Sequence, residues 1–354
     1  MSVNVGMWKK ALQVIPRLSK EEWMELDVVS KWLVATRSAV LIMTFISAAI
    51  AGILALRDGK FSLGLWFLLA LGLVLAHATN NLVNDLTDHA RGVDKGNYFR
   101  AQYGPQPLEH GLMTMRQVLT YVIVTGLLAT VSGAYLLYLR GPLAVAIFAL
   151  GVFFVLFYTF PLKYIGLGEF TVLLVWGPLM IGGGYYVITG DWSWNVVLAG
   201  LPYALGVTTV LFGKHIDKLA DDKAKGIHTL PVIIGERAAR YTVLGMIILQ
   251  YLLVLYLVVT GFFTVAMLVV LLAFNVFRTV WAAYIRPRPT TKPENYPAEA
   301  WPLYLVGFAF YHNRRFGLLY LLGVIAEVVL LRLVLYSAPR AGSDWNDVIL
   351  SPPI

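Results

Sequence analysis

The chain has 354 residues, of which 58% are hydrophobic and only 14% are charged, and its mean hydropathy is +0.71. Soluble domains usually contain about a quarter of charged residues, so the composition excludes an ordinary soluble protein. The absence of cysteine excludes disulfides, thiolate metal sites and cysteine nucleophiles. Long apolar runs separated by short polar breaks recur along the chain, which is typical of an all-α, polytopic membrane protein.

The first 32 residues precede the first long apolar run and lack the pattern of a secretory signal peptide. Within them, WKKALQVIPRLSKEEW (residues 8–23) mixes apolar and charged positions and has a tryptophan at each end. Such a pattern is typical of a segment that lies on the membrane surface with tryptophans as interface anchors. We therefore predict that residues 1–32 form a cytoplasmic, interfacial amphipathic segment.

Nine apolar runs predict nine transmembrane helices and a membrane domain over residues 33–336. Their ranges are 33–56, 61–83, 117–139, 141–162, 168–190, 194–213, 241–261, 263–285 and 316–336. If the N-terminus is cytoplasmic, most lysines and arginines fall in cytoplasmic segments, as the positive-inside rule requires. The net charge of +8 therefore indicates membrane topology rather than nucleic-acid binding. With nine spans, the C-terminal tail (residues 337–354) lies outside.

Two acid-rich segments follow predicted helices on the cytoplasmic side. They are NNLVNDLTDHARGVD (residues 80–94) and KHIDKLADDKAKGIHTLP (residues 214–231). On a helix, Asn84 and Asp88 share one face, and so do Asp217 and Asp221. Like carboxylates this close repel unless cations neutralise them, and Mg²⁺ is usually held by one or two carboxylates with phosphate oxygens and water. Two aspartate clusters that face one cavity could therefore hold Mg²⁺ bridged by a diphosphate.

Basic residues beside the clusters could neutralise the remaining phosphate oxygens. They are Arg91, Lys95, Lys214, Lys218, Lys223 and Lys225. The alternative is that acids at helix ends simply face water, which is our interpretation of Asp58 and Asp191 in short outer loops. Arg37 and Glu327 fall within predicted spans, where charge is a functional hypothesis by default. Glu327 could also pair with a neighbour such as Arg332.

These segments resemble the motifs of UbiA-type intramembrane prenyltransferases. NDLTDHARGVD (residues 84–94) resembles the N-D-x-x-D-x-x-x-G-x-D motif, and DKLADDKAKGIHTL (residues 217–230) resembles the distal aspartate motif with its G-x-x-T-L ending. Between them, YTFPLKYIGLGE (residues 158–169) and GPLMIGGGYYVITG (residues 177–190) resemble members that prenylate 1,4-dihydroxy-2-naphthoate in menaquinone biosynthesis. The resemblance extends from about Arg37 to Gly235.

The resemblance implies a bundle of nine helices around a central cavity that opens sideways to lipid. The two aspartate motifs would bind Mg²⁺ and the diphosphate of a polyprenyl donor, and an aromatic acceptor would attack the allylic cation. The favoured acceptor is 1,4-dihydroxy-2-naphthoate, which loses its carboxylate on prenylation. The resemblance also implies that the protein is integral to a prokaryotic cell membrane, with its active-site loops in the cytoplasm.

The resemblance and the basic residues together define three sets of candidate site residues. The metal-binding set is Asp85, Asp88, Asp94, Asp217, Asp221 and Asp222. The substrate-binding set is Arg37, Asn84, Arg91, Lys163 and Lys214. The catalytic set is Asp88, Asp217 and Tyr158.

The chain departs from the family pattern at three places. The D-x-x-x-D spacing selects Asp217 and Asp221, whereas counting back from the G-x-x-T-L ending selects Asp222. Where the naphthoate branch often has an asparagine pair, this chain has Gly213-Lys214-His215 (residues 213–215). Gln106 precedes a proline at a position where many relatives have an arginine.

Three alternatives remain open at the sequence level. The acceptor could be another molecule, such as hydroxybenzoate, a tetrapyrrole or a lipid glycerol. A terpene cyclase would share the metal site without needing an aromatic acceptor. A cation transporter, with intramembrane carboxylates as ion ligands, belongs to a different class, but it should hold its acids near the midplane within broken helices.

Overall fold

The structure is a computed structural model that describes residues 3–95, 99, 104–298 and 300–337, without the side chains of 332 and 334–337. Throughout this part of the chain, all regular secondary structure is helical, which confirms the predicted all-α class. The predicted tail beyond residue 337 lies outside the described residues.

The N-terminal segment consists of three short helices packed against the bundle. They are α1 (Val5–Gln13), α2 (Lys20–Glu25) and α3 (Val28–Ala35). The Asp27 carboxylate caps α3 by accepting from the Ser30 amide at 3.0 Å, and it also accepts from Trp8 Nε1 at 3.1 Å, which joins α1 to α3. Buried Ala11 and Trp23 pack in a cluster with side chains of the second and third membrane helices, so the segment is part of the folded body.

Seven helical segments within the described residues are long and apolar enough to cross a membrane. They are α4 (Ser38–Arg57), α5 (Leu63–Ala90), α6 (Met115–Arg140), the compound helix Gly168–Thr189, α10 (Trp194–Asp217), α13 (Glu236–Val259) and the compound helix Val265–Tyr284. Two further helices coincide with the fourth and ninth predicted spans: the shorter α7 (Pro142–Phe157) and the long α15 (Leu305–Ser337). The chain is an integral membrane protein, and the count of nine spans stays a prediction.

The fifth predicted span is not a uniform α-helix. It divides into α8 (Gly168–Leu174), a π-helical stretch (Val175–Gly183) and α9 (Gly184–Thr189). Pro178 lies inside the π-helical stretch, where its missing N–H cannot take part in an α-helical ladder. Buried Ile181 from this stretch packs directly against Gly200 of α10, because a small residue lets helix backbones approach closely in a membrane.

Short helices lie in the connections between the long ones. A 3₁₀ turn (Leu162–Ile165) follows α7, and α11 (Leu219–Ala224) and α12 (Leu230–Ile234) follow α10. Within the compound helix Val265–Tyr284, a 3₁₀ stretch (Val265–Ala273) leads into α14 (Phe274–Tyr284). Residues 305–310 precede the ninth predicted span and form the first turns of α15 instead of a separate element. The reason is a long-range cap: the Asp217 carboxylate accepts from the Leu305 and Val306 amides at 2.9 and 3.0 Å.

The helices divide into a buried centre and a peripheral wall. α4, α10 and α15 supply about half of the buried residues of the main core, including fully buried Ile50, Tyr203 and Phe316. By contrast, α6 and α7 present many exposed apolar side chains, such as Val131 and Tyr138. An outward apolar surface is what a lipid-facing helix requires. The space between centre and wall forms the cavity described below.

Candidate active site

A cavity of about 1270 Å³ runs between the central helices and the peripheral wall. Along its length it is lined by apolar and small residues of α5, α6, α7 and the compound helix Gly168–Thr189. These include Leu69, Leu73, Leu127, Gly133, Ile147, Phe148, Met180 and Gly183. Its polar end is lined by Arg37, Asn80, Asn81, Asn84, Asp88, Tyr158, Lys163, Lys214, His215 and Lys218. The cavity can therefore accommodate a long apolar molecule with an anionic head.

Arg37 stands at the junction of α3 and α4 in a left-handed backbone conformation, with φ 55° and ψ 51°. This conformation is uncommon for a residue with a Cβ and costs on the order of 1 kcal/mol. Its Nη2 donates to Asn84 Oδ1 at 3.3 Å and makes a short ion pair with the Asp85 carboxylate. The kink thus aims the guanidinium at the first aspartate motif.

The first motif remains helical because α5 continues to Ala90, seven residues past the predicted end of the span. Asn84 Nδ2 donates to Thr159 Oγ1 at 2.9 Å, and Lys163 Nζ donates to the two Asp88 carboxylate oxygens at 2.9 and 3.1 Å. Both members of the Asp88–Lys163 pair are buried. Two contacts from one face of α5 therefore fix the loop after α7, and with it the cavity-lining residue Tyr158.

Burial lowers the pKa of Lys163, while the adjacent Asp88 carboxylate acts in the opposite direction. The nearby charges of Lys218 and Asp222 also act on this ammonium group. Charged residues of both aspartate motifs therefore act on Lys163, although the motifs are more than a hundred residues apart in sequence.

Arg91 and Asp94 of the first motif are placed away from the cavity lining. The Arg91 guanidinium is exposed and stacks over the Phe160 ring at 3.9 Å. Asp94 is buried, and its Oδ1 accepts from Gln106 Nε2 at 2.6 Å. Gln106, which occupies the position of an arginine in many relatives, thus holds Asp94 by a hydrogen bond.

The second motif is interrupted because α10 ends at Asp217 and α11 begins at Leu219. Lys218 between them lines the cavity, and its Nζ donates to the fully buried Asp222 carboxylate at 2.8 Å. Asp221 is only partly buried. Of the two registers that the sequence allowed, the geometry favours Asp222 over Asp221 as the acid next to the cavity.

Asp217 is directed elsewhere. Besides the α15 amides, its Oδ1 accepts from Arg288 Nε at 3.0 Å, and its side chain is fully buried away from the cavity lining. Arg288 also donates to the Pro302 carbonyl at 3.0 Å and lies over the Trp301 ring. This arrangement makes Asp217 an anchor between α10, the 285–304 loop and α15.

The structure thus brings some of the predicted residues to one place and leaves others outside it. Those that line the polar end are Arg37, Asn84, Asp88, Tyr158, Lys163 and Lys214. Asp85 and Asp222 lie directly behind Arg37 and Lys218 as their ion-pair partners. Among the described residues there is no group of three or more acidic or histidine side chains arranged to hold a metal.

Sequence reasoning gave too little weight to residues that the structure places at the site. Lys218 is four residues before Asp222, and this spacing was a usable signal for a helix ion pair. His215, noted only as a departure from the pattern, lines the cavity and pairs with Glu169. Lys10 and Arg17 of the N-terminal segment also line the cavity. No local pattern indicated their contribution.

The UbiA prenyltransferase family model matches residues 45–301, most of the chain. The protein therefore belongs to the UbiA prenyltransferase family, which confirms the resemblance inferred from the two aspartate motifs.

The chain is similar to several named relatives at modest identity. It is 27% identical over 215 residues to the UbiA prenyltransferase domain-containing protein 1 homolog of Drosophila melanogaster, covering 57% of this chain and 56% of that protein. It is 27% identical over 221 residues to 1,4-dihydroxy-2-naphthoate octaprenyltransferase of Escherichia coli (strain K12), covering 59% and 70%. It is 29% identical over 211 residues to digeranylgeranylglyceryl phosphate synthase of Natronomonas pharaonis, covering 59% and 69%. The chain thus spans little more than half of the Drosophila relative.

Solved structures agree on the fold. A UbiA homologue from Archaeoglobus fulgidus bound to DMAPP and Mg²⁺ superposes with a TM-score of 0.54 at 18% identity, covering 84% of this chain and 99% of that one. The apo structure of a UbiA homologue from Aeropyrum pernix K1 gives a TM-score of 0.57 at 17% identity, covering 83% and 98%. At such low identity these likenesses establish a shared fold and nothing finer.

Proposed function

We propose that the protein transfers a prenyl group from a prenyl diphosphate to an aromatic acceptor within the 1270 Å³ cavity. The observation that carries this proposal is the division of the cavity into a long apolar part and a basic end. An isoprenoid chain fits the first and a diphosphate the second, and family membership points to the same pairing. The proposed enzyme class is therefore prenyltransferase.

The basic end is suited to an anionic head group. The cations that line it are Lys10, Arg17, Arg37, Lys163, Lys214 and Lys218, against Asp88 as the lining carboxylate. Charge-assisted hydrogen bonds from lysine and arginine to phosphate oxygens are among the strongest in proteins. We infer that Arg37, Lys163 and Lys214 contact the diphosphate directly, with Arg91 outside this contact.

Mg²⁺ fits the donor set at this end of the cavity. Asn84, Asp88 and Asp222 offer hard oxygen ligands, and Mg²⁺ typically uses only one or two carboxylates when phosphate oxygens complete its shell. The lack of a three-carboxylate group in the described part of the chain is consistent with that mode. We propose that Asp88 and Asn84 hold the metal on the α5 side and Asp222 on the α11 side. Asp85 orients Arg37, and Asp94 and Asp221 support the loops.

Bound Mg²⁺ would withdraw electron density from the diphosphate and make it a better leaving group. The surrounding lysines and Arg37 hold the diphosphate as the C1–O bond breaks and its electron pair leaves with the phosphate. Tyr158 faces the same end and presents an aromatic ring to the developing allylic cation. A carbon of the electron-rich acceptor then bonds to C1. With a dihydroxynaphthoate acceptor the ring carboxylate leaves as carbon dioxide.

The favoured acceptor is 1,4-dihydroxy-2-naphthoate, in menaquinone biosynthesis. Its support is the similarity to the Escherichia coli octaprenyltransferase and the residues of the 158–190 region. The Natronomonas pharaonis relative, named as a glyceryl phosphate synthase, supports a lipid glycerol as the second candidate acceptor. The transporter alternative loses support because the unwound π stretch Val175–Gly183 contains no acidic residue.

The proposed topology has nine spans over residues 33–336. It places the N-terminal segment and both aspartate motifs in the cytoplasm of a prokaryotic cell and the tail outside. Its support is the distribution of basic residues and the position of α7 and α15 at the fourth and ninth predicted spans.

The proposal is tested by product formation in nanodiscs from a long polyprenyl diphosphate and 1,4-dihydroxy-2-naphthoate. We expect a decarboxylated prenyl naphthoquinol with Mg²⁺ and none with EDTA. Asp88→Asn keeps the size of the side chain but removes the charge that faces Lys163, and should lower turnover by about a hundredfold or more. The matched control is Asp191→Asn, which alters an exposed carboxylate paired with Lys60.

Each outcome has a distinct meaning. Equal activity of the Asp88→Asn and Asp191→Asn variants would exclude the polar end as the diphosphate site. Mg²⁺-dependent release of diphosphate without naphthoate prenylation would transfer the proposal to another acceptor or to a cyclase. A folded protein that neither binds nor consumes prenyl diphosphate would refute the proposed function.

A further inference from the structure

A buried histidine–glutamate pair lies at the polar end of the cavity and is not used in the reaction described above. His215 Nδ1 is 2.5 Å from Glu169 Oε1, and the two side chains are only 2% and 1% exposed. The second Glu169 oxygen accepts from the Leu230 amide at 3.4 Å. The carboxylate is thus fixed by α12 while it holds the imidazole.

The pair has a defined position relative to the proposed substrate. His215 lines the cavity on α10 between the lining residues Lys214 and Lys218. Glu169 lies in the first turn of the compound helix Gly168–Thr189. His215 and Tyr158 both line the polar end of the cavity, where we expect the acceptor ring to approach C1 of the donor.

The pairing also determines which hydrogen bond the imidazole can offer. An ionised carboxylate only accepts hydrogen bonds, so Nδ1 of His215 carries the proton that is donated to Glu169. In the neutral ring Nε2 is then an acceptor. Among the described residues, no group hydrogen-bonds to Nε2. Nε2 is also not one of the fully buried side-chain atoms without a partner, so its surface is not fully covered by protein. This nitrogen therefore reaches the cavity as an oriented acceptor.

We propose that His215, held by Glu169, binds a ring hydroxyl of the aromatic acceptor and sets the enzyme's selectivity for hydroxylated rings. The inference rests on the proposed prenyl transfer and specifies the class of its acceptor. His215 Nε2 accepts the hydrogen bond from the hydroxyl, which turns the adjacent ring carbon toward the donor. Glu169 is a positioning residue, since it acts only through the imidazole.

A purely structural role of His215 would have different consequences. If His215 only joined α10 to the compound helix Gly168–Thr189, its replacement would lower stability and reduce kcat/KM equally for all acceptors. A hydroxyl-binding histidine affects only acceptors that carry the hydroxyl, because a site built to hydrogen-bond a hydroxyl strongly rejects analogues that lack it. The distinction is therefore measurable with paired substrates.

The test compares a hydroxylated naphthoate acceptor with its methyl ether at the same carbon, as kcat/KM in nanodiscs with Mg²⁺. The wild-type protein should prefer the hydroxyl compound strongly. In His215→Phe this preference should fall at least tenfold, with the KM for the prenyl diphosphate changed less than twofold. Glu169→Gln should reduce the preference in the same direction but less, because the glutamine still contacts the ring without fixing its tautomer. His228→Phe, at an exposed histidine, is the matched control.

The outcomes separate this inference from the proposed function. If the wild-type protein prenylates the acceptor and both variants fold yet keep the wild-type preference, the hydroxyl-binding role is refuted and the prenyltransferase stands. If His215→Phe does not fold, Glu169→Gln decides by the same ratio. If the wild-type protein prenylates no hydroxylated aromatic compound, the proposed function fails first.

Discussion

Replacing Asp217 tests whether the second motif has the role its sequence suggests or the one its geometry shows. The Asp217 carboxylate is fully buried and accepts from Arg288 Nε at 3.0 Å and from the amides of Leu305 and Val306 at 2.9 and 3.0 Å. Asp217→Ala removes the two oxygens that accept these three hydrogen bonds. The variant should therefore be less stable than the wild-type protein, while all groups that line the cavity are still present.

The magnitude follows from these contacts. Removing one partner of a buried ion pair costs about 3–5 kcal/mol, and removing a helix cap costs about 1 kcal/mol. The Arg288 side chain is 19% exposed and keeps its bond to the Pro302 carbonyl, so we take a total of about 3 kcal/mol. This corresponds to a fall in Tm on the order of 5 °C, scaled from smaller chains.

The assay is thermal unfolding in detergent followed by size-exclusion fluorescence, with Mg²⁺-dependent turnover measured below the transition. Asp217→Asn keeps one acceptor oxygen, so its free energy of unfolding should fall by about half as much as that of Asp217→Ala. In the double variant Asp217→Ala/Arg288→Ala the loss should be smaller than the sum of the single losses, because neither partner is left alone. Asp221→Ala is the control, since Asp221 is partly buried and makes no ion pair in the described part of the chain. An Asp217→Ala protein with the wild-type Tm but no turnover would refute this reasoning and restore Asp217 to the metal set.

Two further predictions concern the contact of Gly213 with α15 and the Asp27 cap of α3. A Cβ at Gly213 would lie 2.9 Å from the Val306 amide nitrogen, so Gly213→Ala should cost about 1–3 kcal/mol, whereas Gly245→Ala, in open space on α13, should be neutral or slightly stabilising; thermal unfolding compares the two. Hydrogen bonding by Ser30 holds the pKa of Asp27 well below its ordinary value. The stabilisation from Asp27 is then complete above about pH 4 and declines as the pH falls through the lower, folded-state pKa. The protection of the α1 amides, which is their exchange corrected for its intrinsic pH dependence, should therefore be constant from pH 8 to pH 5 and lower in Asp27→Ala. A wild-type protein whose protection already fell at pH 6 would contradict this assignment.

Local pattern was sufficient to place Asn84 and Asp88 of the first motif on the cavity, but not Arg91 and Asp94. The spacing of Asn84 and Asp88 predicted one helix face, and both line the cavity because α5 continues through them. The Y-T-F-P-L-K stretch indicated Tyr158 and Lys163, and hydrogen bonds from the same face of α5 bring that loop to the site. Where the helix continued as its sequence suggested, residue spacing translated directly into geometry.

The second motif could not be predicted in the same way. Its four-residue spacing assumed one continuous helix, but Asp217 ends α10 because it caps α15, a contact across 88 residues of sequence. Glu327 follows the same principle: its carboxylate accepts from the Thr264 amide and hydroxyl at 2.7 and 2.6 Å, where sequence proximity had suggested Arg332. Tertiary acceptors of this kind decide which acidic residues remain available to a substrate. They are set by how the helices pack and leave no periodic signal.

The most direct test of the central claim is an experimental structure with Mg²⁺ and a polyprenyl S-thiolodiphosphate, which cannot readily ionise. We predict that the diphosphate lies within hydrogen-bond distance of Lys163 and Lys214, and that the prenyl chain lies in the apolar part of the cavity between α5, α6 and α7. A diphosphate bound outside this cavity, or a prenyl chain on the outer, lipid-facing surface of α6 and α7, would contradict it.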